Sequence, residues 1–207
     1  MTTRAAPAQR RRPGRPQGKQ VVADRAQLLA AAARSINASG PTVTLDDIAA
    51  EAGVTKPILY RTVGDKAALV TALSELLIDG IDAAVKRATS TPTTPRQDFE
   101  AAVRGYLTAV DADRNIYLFV NAGDRSTEQL RRLVDRSAQQ LLELFSPARA
   151  AAGLDQSAAR TWAYAVIGAF QTVTTMWLGD EYCDRDIVAR DLTDLLWPGV
   201  ASVGELG

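Results

Sequence analysis

The sequence predicts an all-α protein, and three observations carry that prediction. From Asp24 onward, apolar residues recur at helical spacing. Capping residues, glycines and prolines punctuate this pattern into segments of helical length. No alternating stretch of useful strand length and no internal repeat is found in the 207 residues. At 46% hydrophobic residues, the composition suffices for a sizeable core.

Met1 to Gln20 has no apolar periodicity, holds Pro7, Pro13 and Pro16, and is expected to be a disordered arm. The first helix begins at Asp24, with Leu28, Leu29, Ala32, Ala33 and Ile36 on one face, and stops at Gly40-Pro41. Thr44 with Asp47 three residues on is a capping-box arrangement, so a second helix runs from Thr44 to about Ala52, where Gly53 breaks it. Thr55 caps a third helix ending near Thr62. Pro57 sits in its first turn, where a missing amide does no harm. After Gly64, Asp65 caps a long fourth helix reaching Ala88. Ser90–Gln97 reads as a loop, and further helices are expected near residues 97–112, 114–122, 127–145, 155–179 and 185–197.

Charge is unevenly placed. The whole chain has 24 basic and 24 acidic residues, yet residues 1–20 carry Arg4, Arg10, Arg11, Arg12, Arg15 and Lys19 and no acid. A basic arm on an acidic body points to a polyanionic partner. Residues 21–70 are balanced at five basic and five acidic, so the arm is expected to supply much of any salt-sensitive attraction to that partner. Histidine is absent and Cys183 is the single cysteine. That removes the commonest general base, the commonest metal ligand and any intramolecular disulfide, so neither a cofactor, a metal nor an enzyme activity is expected. Glu100, Asp111 and Asp113 remain as carboxylates with no nucleophile beside them in the pattern. The charged N-terminus lacks a following apolar stretch, and the longest apolar run, Trp162–Phe170, is too short to span a bilayer, so a cytoplasmic protein with no membrane partner is expected.

Two short helices joined by a glycine turn form a helix-turn-helix layout. Ile48, Ala49, Val54 and Leu59 would face inward, small Ala49 and Ala52 would let the helices cross closely, and Lys56, Tyr60 and Arg61 would face outward. The third helix's N-terminus would offer free amides and a positive dipole end to a phosphate. Lys66 opens the fourth helix where dipole logic alone favours an acid, which makes sense beside a phosphate. On these residues the stretch TLDDIAAEAGVTKPILYRTVGDKAALV, Thr44–Val70, resembles the DNA-binding signature of the TetR family of transcriptional regulators.

The resemblance implies a three-helix helix-turn-helix domain over residues 21–66 and a larger helical effector-binding and dimerisation domain over 67–207, following the arm of 1–20. It places Thr44, Thr55, Lys56, Tyr60 and Lys66 at positions that contact DNA, mostly its backbone, and Pro57, Ile58 and Arg61 at positions that approach base edges. Arg61 is suited to a bidentate contact with guanine. The family's usual aromatic after the Tyr-Arg pair is replaced here by Thr62-Val63. In the arm, Gly14-Arg15-Pro16 among basic residues resembles an AT-hook core, which would bring Arg12 and Arg15 to an A·T-rich minor groove; a plain basic tail is the alternative.

The implied partners are double-stranded DNA carrying a palindromic operator, a second copy of the chain, and a small-molecule effector. Aromatic content suggests that the effector is apolar or amphipathic. Tyr106, Val110, Tyr117, Phe119, Trp162, Phe170, Thr174 and Trp177 are the candidate lining residues, with ordinary core packing as the alternative for each. Ala165, Gly168 and Ala169, and a stripe of Val188, Leu192, Leu195 and Leu196, would form the dimer face. The function expected is a ligand-responsive repressor; the alternative is an architectural A·T-rich DNA-binding protein led by the arm.

Overall fold

The structure, a computed structural model, describes residues 24–91, 93–122, 135, 137–139, 157–180 and 183–201. The arm with Arg12 and Arg15 lies outside the described residues. So does the helix expected near 127–145, apart from 135 and 137–139, which are helical. Eight helices are bounded among the described residues: α1 (Arg25–Ser39), α2 (Leu45–Glu51), α3 (Lys56–Val63), α4 (Lys66–Ala88), α5 (Pro95–Ala112), α6 (Arg114–Asn121), α7 (Ser157–Asp180) and α8 (Arg185–Ala201). No strand is present among them.

Local chemistry explains the boundaries. Asp24 caps α1 through the Ala26 amide, and Asp65 caps α4 through the Ala68 amide. Thr44 and Asp47 close the capping box of α2 in both directions. A second capping box, Thr94 with Gln97, starts α5 at Pro95, inside the stretch expected to be loop. The run of Ser, Thr and Pro before it hid this start, because each of these residues is also a turn former. α8 continues through Pro198 to Ala201, beyond the end expected near 197.

Two apolar cores form. The first joins α1, α2, α3 and the start of α4 through Leu28, Ile36, Ile48, Leu59, Val63 and Leu69. Fully burying a side chain such as Ile48 or Leu59 contributes about 1.5–3 kcal/mol. The second joins α5, α7 and α8 through Val103, Leu107, Val110, Trp177, Val188 and Leu192, with Leu77 and Ile81 of α4 against it. α4, about 35 Å long, therefore serves both cores. α5 packs closely along α4 at Gly105, where a Cβ would stand 3.0 Å from the Ala88 Cβ and 3.1 Å from the Ala84 oxygen.

α6 also serves both cores. Ile116, Phe119 and Val120 are buried in the first, while Tyr117 and Leu118 pack in the second. Its position is fixed from both sides: Asn115 donates to the Asn37 carbonyl at the end of α1, and Arg114 donates to the Leu178 carbonyl near the end of α7.

Candidate DNA interface and effector site

α2 and α3 are held at their turn by left-handed Gly53, with φ +64, and by the Val54 amide bonding the Ala49 carbonyl at 3.0 Å. Ile48, Ala49 and Leu59 are buried and Val54 half-buried, so the opposite face of α3 is solvent-exposed with Lys56, Pro57, Tyr60 and Arg61 on it; Ile58 is half-buried. Thr55 has an N-cap backbone conformation, but its side chain makes no capping hydrogen bond.

Thr44, Lys56, Tyr60 and Lys66 line one cleft of about 270 Å³, together with Asp46 and Phe119. Four residues from three helices, each expected at a DNA backbone contact, thus share a single concavity. The Lys56 ammonium pairs with Asp46 at 2.9 Å, which raises its pKa and keeps it charged. The Lys66 ammonium lies 5.7 Å from the centroid of the Phe119 ring, a cation–π arrangement that steers the lysine toward the cleft. Thr44 donates its hydroxyl and its amide to Asp47, and these bonds hold the Asp47 carboxyl below its usual range.

One detail departs from expectation. Pro57 has no amide proton, and the Ile58 and Leu59 amides turn back to the Thr55 carbonyl at 2.9 and 3.1 Å. The first turn of α3 therefore offers fewer free amides than its dipole alone suggests, since Pro57 has none and the Ile58 amide bonds the Thr55 carbonyl.

The expected lining residues divide. Tyr106, Val110, Tyr117, Phe170 and Trp177 belong to or pack against the second core. Phe170 meets the Tyr106 ring edge-on, with centroids 4.9 Å apart. Fully buried Thr174 stands one helical turn from both Phe170 and Trp177. Phe119 is a correction: it faces the first core and Lys66, because α6 turns that side toward α1 and α4. Trp162 is absent from both clusters; it lies toward α8, where Gly199 has room for a Cβ 4.0 Å from the indole.

The stripe expected at the dimer face splits as well. Val188 and Leu192 are buried within the chain, whereas Leu195 is 71% exposed. Gln171 was not singled out from sequence, yet its amide donates to Asn121 and its carbonyl accepts from the Tyr117 hydroxyl. A glutamine within an apolar helix was the available signal. Glu100 pairs with Arg96 and Arg104, and Asp111 with Arg185, so these carboxylates sit in ion pairs.

A glycine-turned helix pair presenting a cationic cleft, mounted on a second helical core, defines a helix-turn-helix regulator. Comparison with known proteins agrees. Residues 28–73 match the family of bacterial regulatory proteins, tetR family, and residues 84–206 match the tetracyclin repressor-like C-terminal domain. The chain belongs to the TetR family of DNA-binding transcriptional regulators.

It is 29% identical over 194 residues to an uncharacterised helix-turn-helix transcriptional regulator of Mycobacterium tuberculosis, spanning 88% of this chain and 80% of that protein. It is 28% identical over 190 residues to the transcriptional activator FasR of Mycolicibacterium smegmatis, spanning 86% of this chain and 84% of that one. The fold resembles that of the fatty acid degradation regulator FadR from Bacillus halodurans, with a TM-score of 0.64 at 18% identity, over 83% of this chain and 93% of that chain. It also resembles FadR from Bacillus subtilis in complex with stearoyl-CoA, with a TM-score of 0.62 at 17% identity, over 83% and 96%. No helix among the described residues is long and apolar enough to cross a membrane.

Proposed function

We propose that the protein is a cytoplasmic, homodimeric repressor that binds a palindromic operator and is released by a small-molecule effector. The observation that carries this reading is the cleft joining Thr44, Lys56, Tyr60 and Lys66 beside the exposed Arg61 of α3. The lysines would meet phosphates and position the helix, while Arg61 would read a base edge in the major groove. Thr55, Pro57 and Ile58 would lie against the same groove, and Arg12 and Arg15 against a flanking minor groove.

A two-fold dimer places half-sites about one helical turn apart. Exposed Ala165, Gly168 and Met176 on α7, with Leu195 on α8, leave a face of small and apolar residues suited to a second copy. The effector would be apolar or amphipathic and would bind in the second core, around Tyr106, Phe170 and Trp177. The stearoyl-CoA complex of the Bacillus subtilis FadR supports an effector carrying an acyl chain. Ligand binding would tilt α4, which runs from that core to the cleft; the ligand need only favour the shape that does not fit DNA.

Selection of bound duplexes from a random pool tests the proposal, using the full chain and a chain lacking residues 1–20. An enriched palindrome with both proteins is expected, with flanking A·T enrichment lost on truncation. If A·T richness alone emerged and truncation abolished it, the architectural reading would replace this one.

A further inference from the structure

Two threonines, Thr174 and Thr193, are fully buried in the helical body. Buried helical threonines ordinarily donate to the carbonyl four residues earlier. Thr193 does so to Ala189 at 2.7 Å, and Thr175, next in the chain, does so to Gln171 at 2.8 Å. The Thr174 hydroxyl does not: among the described residues its oxygen has no hydrogen-bond partner. A buried hydroxyl without a partner is costly, and its persistence calls for an occupant.

The Tyr106 hydroxyl lies within reach of both the Thr174 and the Tyr117 hydroxyls, and the Tyr117 hydroxyl is itself held by a long 3.4 Å bond to the Gln171 carbonyl, but no bond of normal geometry closes to Thr174. We propose that Tyr106, Tyr117 and Thr174 form the polar end of the effector site, where they take an uncharged oxygen, an ester-type carbonyl or a hydroxyl, on an otherwise apolar molecule. This inference rests on the effector-binding reading above.

Three features favour an uncharged group. First, the groups acting on Tyr106 are burial, Tyr117 and Thr174, none of them cationic. Arginines on neighbouring helices are turned elsewhere: Arg104 to Glu100 and Asp186, and Arg114 to the Leu178 carbonyl. Among the described residues no counter-charge faces this spot, so a carboxylate here would lose its hydration without compensation from them. Second, a tyrosine phenol is protonated at neutral pH, its ordinary pKa being about 10, so Tyr106 remains a donor, and its burial disfavours any charged form. Third, the Phe170 ring packs edge-on against Tyr106, and Trp177 follows one turn beyond Thr174, so the polar spot is walled by aromatic surface.

The test uses the full-length protein and the uncharged fluorescent probe N-phenyl-1-naphthylamine, displaced at neutral pH by methyl octanoate, 1-octanol or octanoate. The ester and the alcohol are expected to displace it at concentrations about tenfold lower than octanoate. Thr174→Val and Tyr106→Phe are each expected to weaken ester binding about tenfold, the order of one hydrogen bond. Unliganded Thr174→Val should melt at or above the wild-type temperature, because a methyl replaces an unpaired hydroxyl.

Octanoate matching the ester, or both variants binding the ester like wild type, would overturn this inference while leaving the effector site standing. If the probe did not bind and no compound bound calorimetrically, the effector reading and the inference would fall together.

Discussion

Arg61 and Lys66 are both exposed cations, yet they are expected to fail differently. Arg61→Ala should cost about 1–3 kcal/mol of discrimination at one base pair, whereas Lys66→Gln should weaken all duplexes alike and lower the salt slope by about one. Anisotropy titrations on operator and scrambled DNA across salt concentrations separate the two. Tyr106 gives a pH prediction. Its folded pKa is raised above the unfolded value of about 10, so its stabilising effect is complete below that pH and is lost as pH rises toward the folded pKa. Alkaline unfolding followed by circular dichroism should show a shallower loss in Tyr106→Phe. At this scale the exposure of Lys56, Tyr60 and Arg61 was legible because helix register sets it, whereas the meeting of Thr44, Lys56, Tyr60 and Lys66 in one cleft depends on how three elements pack. Phe119 was not legible in the same way. Either face of a short amphipathic helix can be the one that meets a given neighbour, and only the packing of α6 on α1 and α4 decides it.

The joint between α3 and α4 turns on Gly64. Its φ is +103, and a Cβ there would stand 2.6 Å from the Ala68 Cβ. Gly64→Ala is expected to destabilise the fold by about 1–3 kcal/mol and to weaken operator binding by shifting α3 against Lys66. Urea unfolding and an operator titration together check it; a variant as stable and as tight as wild type would refute the joint's role. Helix starts and stops were readable where a cap and a glycine coincide, as for α1, α2 and α4. The start of α5 was obscured because Thr94, Pro95 and Gln97 serve equally in loops, and the end of α8 because its helix runs through an exposed proline, Pro198.

At the scale of the molecule, the expected boundary between residues 66 and 67 leaves α6 packing on both sides. That the apolar residues of α6 divide between two cores was not readable from the sequence, since long-range contacts leave no local mark. Ile116, Phe119 and Val120 close the core that holds α2 and α3 in place. Phe119→Ala should therefore cost about 3–5 kcal/mol, and thermal unfolding should remain a single transition seen equally by probes in either core. A variant that melted in two steps would show the cores to be independent. The shared helix also bears on recombination between relatives. A DNA-reading segment cut at the end of α3 or α4 and joined to another body leaves behind three side chains of its own interior. Operator preference can be exchanged between such proteins only when the matching face of α6 travels with it.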